Sequence, residues 1–256
     1  MSKNLIQVYQ DVGSDAFSTQ QLVKALKAFP GTYEVVQTTG ELLRSHRSRL
    51  EDTALLCFGG GYDLGYLATV KSEGCHILRN YVHSGGRYLG LCAGAYFASQ
   101  RCIFDEHGPN EVIGDRPLAL FAGDAIGPYV PGFQYNSEEG SHAIQVVRRT
   151  SENRYSAIKE ALCYINGGCA FQSTDWAQSK VLYTYGSSNN PAIVASRLGR
   201  GISVLSGVHL EYDPDDLDNL NAGEHSHAVA CELRIDNDKR LALWHAVLSF
   251  LLNTVK

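Results

Sequence analysis

The pattern of greatest chemical consequence in this chain is a cysteine set between two glycines, Gly90-Leu91-Cys92-Ala93-Gly94, followed by Ala95-Tyr96. An apolar run precedes it and a helix-compatible stretch follows, which predicts a tight strand-to-helix turn with the thiol pushed out at the carboxyl end of a sheet. Backbone N–H groups at the start of that helix favour thiolate over thiol. A second pattern, Ser206-Gly207-Val208-His209-Leu210-Glu211, spaces an imidazole and a carboxylate two residues apart, on one side of an extended chain. The carboxylate can orient the ring and the ring can take the thiol proton, the division of labour a cysteine nucleophile needs. A third pattern is Phe58-Gly59-Gly60-Gly61-Tyr62-Asp63, where consecutive glycines let main-chain N–H groups face a developing oxyanion, partnered by the N–H of Ala93. Each pattern has a plain structural alternative. Free cysteines are usually buried, glycines after a strand can simply turn the chain, and a His-x-Glu triplet arises by chance. Their occurrence together is what favours chemistry.

The elements that must position these groups are legible in part. Leu5–Tyr9 reads as a short buried strand, Ala16 to Phe29 as a helix ended by Pro30-Gly31, and Tyr33–Val36 and Ala54–Phe58 as two further strands. A helix is expected around Lys71–Ser84, and Arg87–Leu91 is a fourth strand running into Cys92. Strands separated by helices imply a parallel sheet with right-handed crossovers. Residues 101–206 differ, with strand-like pieces at Ala143–Val147, Ala161–Ile165, Val181–Tyr185, Ala192–Ser196 and Ile202–Leu205 among turn-forming residues. These are expected to be largely antiparallel and to extend or flank the first sheet. Asp236 to Thr254 reads as a final helix. No repeat or linker divides the chain, so residues 1–256 are expected to form a single domain.

Composition narrows the function classes. A 256-residue chain with 44% hydrophobic and 19% charged residues can bury a large core. The formal charge of −5 gives no basic surplus for a nucleic-acid backbone. There is no export signal at the N-terminus and no apolar run near the roughly 18 residues of a membrane span, so neither a nucleic-acid nor a membrane partner is expected. Seven cysteines, an odd number without any C-x-x-C, argue against a disulfide framework and a structural zinc site. A reducing cytoplasm is the expected setting, with no metal and no cofactor. Asp213 to Asp218 lacks the ligand spacing of a calcium loop and reads as a solvated acidic loop. His225 and His227 lack a third ligand, and Trp176 and Trp244 read as packing residues.

The elbow, the glycine turn and the late His-x-Glu resemble, in that order, the class I glutamine-amidotransferase-like family. A closer resemblance lies in Phe58–Tyr66, the elbow with Tyr96-Phe97, the run Gly132-Phe133-Gln134-Tyr135-Asn136-Ser137-Glu138, and Tyr164-Ile165-Asn166-Gly167-Gly168. These are similar to the N-terminal domain of eukaryotic-type biotin-protein ligases, over most of the chain. The resemblance implies an α/β, flavodoxin-like, mainly parallel sheet with helices on both faces, extended by antiparallel strands in the second half. It assigns Cys92, His209 and Glu211 to a catalytic triad, and Gly60, Gly61 and Ala93 to an oxyanion hole. It makes Tyr96, Asn166, Gly167 and Gly168 candidate pocket-lining residues. Two departures stand out. Glutamine-hydrolysing members carry a leucine directly after the nucleophile and a glutamine four residues after it, where this chain has Ala93 and Tyr96. The pocket is therefore not expected to take free glutamine. Leu210 also replaces the usual proline between the histidine and the acid. Biotin ligation itself belongs to a separate C-terminal domain that would begin where this chain ends, so a stand-alone version is not expected to ligate biotin. Arg197-Leu198-Gly199-Arg200-Gly201 reads as a turn between two strands.

These readings favour an enzyme, a cysteine hydrolase or amide-group transferase acting on a small-molecule or amide substrate, with a separate synthetase or ligase chain as a conceivable partner. A binding or regulatory module that has lost turnover is the alternative from another class, and a cysteine peptidase on the same fold a third reading.

Overall fold

The computed structural model describes residues 3–45, 47–149 and 157–252. The first part of the chain alternates β1 (Leu5–Tyr9), α1 (Ala16–Lys27), β2 (Glu34–Thr38), α2 (Gly40–Ser45), α3 (Arg47–Glu51), β3 (Thr53–Phe58), α4 (Asp63–His83), β4 (Arg87–Leu91) and α5 (Ala93–Ala98). Strands dominate next: β5 (Ser99–Phe104), β6 (Val112–Asp115), β7 (Phe121–Gly127), β8 (His142–Arg148), β9 (Glu160–Ile165), β10 (Ala170–Gln172), β11 (Ser179–Tyr185), β12 (Pro191–Leu198) and β13 (Gly201–Ser206). Three helices close the chain, α6 (Pro214–Asp218), α7 (Glu224–Ile235) and α8 (Asn237–Leu252).

The larger sheet has the order β2-β1-β3-β4-β13-β12-β11-β8-β9. Its first five strands are parallel neighbours, and from β13 onward each pairing is antiparallel. The parallel half has the doubly wound order of a flavodoxin-like sheet. Its inner strands are buried on both faces, as expected of apolar runs such as Leu5–Tyr9 and Thr53–Phe58, while the edge strand β2 is partly exposed. One core joins α1 and α8 to the sheet through Leu22, Leu26, Leu243 and Val247. The other joins α4 and α5 through Val70, Leu78 and Phe97, and it also takes in Cys102, Phe121 and Phe171 of a second sheet.

That second sheet, β10-β7-β5-β6, is the main feature the sequence reading missed. Its strands are short or interrupted by glycine, and β6 alternates half-buried and exposed positions. The helix expected from Lys71 begins at Asp63 instead. Lys71 has φ 59° and ψ 170°, which breaks the helical pattern between the two segments of α4. The turn expected at Arg197–Gly201 is the β12–β13 hairpin connection. The acidic segment is not a loop: Pro214–Asp218 forms α6, capped by the Asp213 side chain, with Lys24 bridging Asp213 and Asp216 and Arg234 bridging Asp215 and Asp218. Cations from α1 and α7 disperse the charge that the local sequence leaves concentrated. The last helix ends at Leu252, and the expected extension through Asn253 and Thr254 lies outside the described residues. No described helix is long and apolar enough to cross a membrane.

Candidate functional site

Four strand exits meet at the carboxyl edge of the parallel sheet, where such folds place their sites. β1 leads to Asp15 and Ser18 at the start of α1, β3 to Gly59–Gly61, β4 to Cys92, and β13 to His209. Cys92 occupies the turn between β4 and α5 with φ 51° and ψ −109°, a conformation that non-glycine residues hold only when their surroundings impose it. The constraints are visible. The Cys92 N–H donates to the Ser206 carbonyl (2.9 Å), and the Ala95 and Tyr96 N–H groups donate back to the Cys92 carbonyl (2.9 and 3.1 Å). Gly94 donates to the Gly59 carbonyl at 2.9 Å. A side chain at Gly94 would place its Cβ 2.1 Å from the Phe58 carbonyl oxygen, so only glycine admits this approach of the elbow to β3.

His209 lies beyond the end of β13, in a turn that pairs antiparallel with Tyr164 at the end of β9; its N–H donates to the Tyr164 carbonyl (2.8 Å). The last strand of the sheet therefore curls back to support the imidazole. His209 Nδ1 is 2.7 Å from Glu211 Oε1, and both side chains are buried. Tyr212 packs against the ring at a centroid distance of 4.2 Å, and Tyr164 stacks on Tyr212 at 4.7 Å. Burial is the strongest single influence on His209 and disfavours its charged form. The Glu211 charge and the hydrogen bonds with Cys92 and Glu211 outweigh it, raising the pKa to about 10. Arg240 of α8, itself buried, donates to the Leu210 carbonyl (2.5 Å) and adds a positive charge behind Glu211.

The expected residues separate into those brought to Cys92 and those that serve otherwise. The N–H groups of Gly61 and Ala93 donate to no acceptor among the described residues. Gly60 differs from expectation: its N–H donates to Ser18 Oγ at 2.8 Å, so this group is engaged by α1 instead of facing an oxyanion. What Gly60 supplies is room, because a Cβ there would sit 2.8 Å from His209 Cε1. Tyr96, Asn166 and Gly167 do wall the space beside Cys92. Gly168 does not; it is pressed against the Gly207 carbonyl, where a Cβ would approach to 1.8 Å. Tyr96 donates its hydroxyl to the Gly167 carbonyl (3.1 Å), so the tyrosine standing four residues after Cys92 is fixed as part of the wall.

Two spaces open beside the sulfur. One is a small pocket of about 40 Å³ between Cys92 and the side chains of Tyr96, Phe104, Phe133 and Tyr135. The other is a cleft of about 420 Å³ containing His209, Tyr212, Asp15 and Glu138. The segment 132–138 borders both through Phe133 and Tyr135. It is tied down by the Tyr164 hydroxyl donating to Glu138 Oε2 (2.5 Å) and by Asn166 Nδ2 donating to the Ser137 carbonyl (2.9 Å). Sequence reasoning named this segment only through resemblance, and it missed Ser18, Tyr212 and Arg240. Of these only Arg240 left a signal, as a cation on the apolar face of a helix, at i−3 from Leu243 and i−4 from Trp244.

The comparisons bear on the fold and the family. A glutamine amidotransferase of Thermotoga maritima superposes with a TM-score of 0.60, covering 98% of this chain and 99% of its own, at 11% identity, a likeness of fold. A Chlamydia muridarum protein of uncharacterised role is 35% identical over 222 residues, 84% of this chain and 83% of its own length. The biotin–protein ligase of Schizosaccharomyces pombe is 34% identical over 170 residues, 64% of this chain but only 26% of the ligase. The family described as biotin-protein ligase, N terminal, matches residues 4–256, and the chain belongs to that family.

Proposed function

We propose that the chain is a cysteine hydrolase or amide-group transferase in which Cys92 is the nucleophile, His209 the general acid–base and Glu211 the group that orients it. The observation that carries this reading is the His209 Nδ1–Glu211 contact of 2.7 Å, which leaves Nε2 as the nitrogen for Cys92. In this mechanism the Cys92 proton already rests on His209, whose raised pKa favours the imidazolium, when Sγ bonds to the carbonyl carbon. The oxyanion is held by the N–H groups of Gly61 and Ala93. The C–N bond then breaks as His209 returns the proton to the leaving amine, giving a thioester on Cys92. Water, or an acceptor amine in a transferase, cleaves the thioester, with its proton passing to His209. Free glutamine is not the proposed substrate, because Tyr96 is fixed in the wall where glutamine-users differ. Seven unpaired cysteines, six of them buried, support a reducing cytoplasm as the setting.

The test is the pH dependence of Cys92 alkylation by iodoacetamide in wild type, His209→Ala and Glu211→Gln. Loss of the imidazole should shift the profile most, and loss of the carboxylate less. Superimposable profiles for wild type and His209→Ala would show that the two residues do not act as a pair. Cys92-dependent ammonia release from free glutamine would overturn the substrate assignment. A second reading, a binding or regulatory module without turnover, is favoured by the smallness of the pocket beside Cys92, about 40 Å³. It is also favoured by the ligase relative, of which this chain matches 26%, and such a module would act with a separate synthetase or ligase chain. That reading expects an ordinary thiol at Cys92.

A further inference from the structure

The two spaces beside Cys92 are chemically unlike, and the reacting groups are divided between them. Ala93, with its free N–H, walls the small pocket and not the cleft; His209 walls the cleft and not the pocket; Cys92 and Gly61 border both. A leaving amine must lie next to the acid that protonates it. On the proposed mechanism, on which this inference rests, the amine side of a substrate occupies the cleft and the acyl side the pocket.

We propose that the site is built for an amide with a compact apolar acyl group and a leaving amine that carries a second, positive charge, which Glu138 and Asp15 recognise. The pocket is the smaller of the two, about 40 Å³. Its walls include Tyr96, Phe104, Val112 and Phe133, and its one acid, Asp63, is paired with Arg116 at 2.5 Å. The cleft is ten times roomier and opposite in character. Among the described residues, Asp15 and Glu138 form no ion pair, and no lysine or arginine walls the cleft. The charge that His209 contributes is offset by Glu211.

The charge rule is tested on the thiol itself, without turnover, by a matched set of N-substituted chloroacetamides. Each reacts by formation of an S–C bond at Cys92 with loss of chloride. The substituents are 3-(trimethylammonio)propyl, its neutral tert-alkyl isostere and a carboxypropyl group, and the adduct at Cys92 is located by mass spectrometry. Relative to the same reagents against free cysteine, the cationic member should react at least about tenfold faster than the neutral one, and the anionic member slowest. Glu138→Gln keeps an oxygen for the Tyr164 hydroxyl, and Asp15→Asn keeps one for the Ser18 N–H. Each should narrow the cation-to-neutral ratio, and the double variant should bring it near one. Equal rates for the three charges, or a ratio untouched by both substitutions, overturns the charge rule. For the acyl side, p-nitrophenyl acetate should acylate Cys92 faster than the hexanoate by more than their ratio against free cysteine. A ratio no larger than that of free cysteine overturns the compact-acyl assignment. Neither outcome can be confused with failure of the proposed mechanism, which is read separately from the dependence of the alkylation profile on His209.

Discussion

At the scale of single residues, the site depends on one clearance and one coupled pair. The clearance is at Gly60, where a Cβ would meet both His209 Cε1 and Ser18 Oγ at 2.8 Å. Gly60→Ala must push the imidazole away from Cys92 or break the Ser18 contact. Activity, or His209-dependent alkylation, should fall by tenfold or more, while stability changes by about 1–3 kcal/mol, the usual range for overpacking. Unchanged alkylation in a folded Gly60→Ala protein would mean that the ring has room to spare. The coupled pair is His209 with Glu211. Because the folded pKa of His209 is raised to about 10 from the usual 6.5, the folded state binds a proton that the unfolded chain releases. The stabilisation this brings is fully present below about pH 6.5 and is lost as pH rises through about 10. The stability difference between wild type and His209→Ala in urea should therefore be larger at pH 6 than at pH 10. A difference that grew with pH would place the ring in its neutral form instead. Much of this was legible beforehand, since cysteine, histidine and glutamate could be named from spacing alone. The destination of the Gly60 N–H was not, because Ser18 is 42 residues away in sequence.

At the scale of elements, legibility followed burial pattern. β1 and β4 were bounded as the sequence suggests, because Leu5–Tyr9 and Arg87–Leu91 are short apolar runs between turn-forming residues. β5, β6, β7 and β10 were missed because their residues alternate or include glycine, and β10 is three residues long. The omission matters for function: Cys102 and Phe104 of β5 and Val112 of β6 wall the pocket beside Cys92. A pocket assembled from two sheets has no contiguous signature in sequence. The segment 132–138 poses a different problem. It is neither helix nor strand, and its position is set by Tyr164 and Asn166 from the end of β9. Tyr164→Phe removes the donor to Glu138 while keeping the ring stacked on Tyr212. Amide hydrogen exchange of 132–138 should speed up in this variant, with global stability lowered by only about 1 kcal/mol, the usual worth of one such bond. Exchange confined to wild-type rates would show that Asn166 alone anchors the segment.

At the scale of the whole molecule, the question is what holds the smaller sheet to the larger, since the pocket lies between them. Apolar contact supplies most of it, through the core shared by α4, α5, Cys102, Phe121 and Phe171. Polar links also cross the junction: Arg79 of α4 donates to the Leu118 carbonyl at 3.0 Å, and a buried ion pair lies nearby. Arg116, directly after β6, donates from Nε to Asp63 Oδ2 at 2.5 Å, and Asp63 is the first residue of α4, reached from the glycine turn that leads out of β3. The Arg116 residue is 4% exposed and Asp63 8%, so neither charge can fall back on water if its partner is removed. The remaining guanidinium nitrogen, Nη2, already has no partner among the described residues. Breaking such a pair from one side leaves a buried, uncompensated charge and costs about 3–5 kcal/mol, whereas replacing both members by apolar side chains of similar volume is often neutral. Asp63→Leu and Arg116→Met should thus each destabilise strongly in urea, and the double variant should recover most of the loss. The pocket should open in the single variants, so Cys92 should lose its preference for p-nitrophenyl acetate over the hexanoate before global unfolding. Additive losses in the double variant would mean that the two charges are stabilised independently, and that the ion pair does not set the spacing between the sheets.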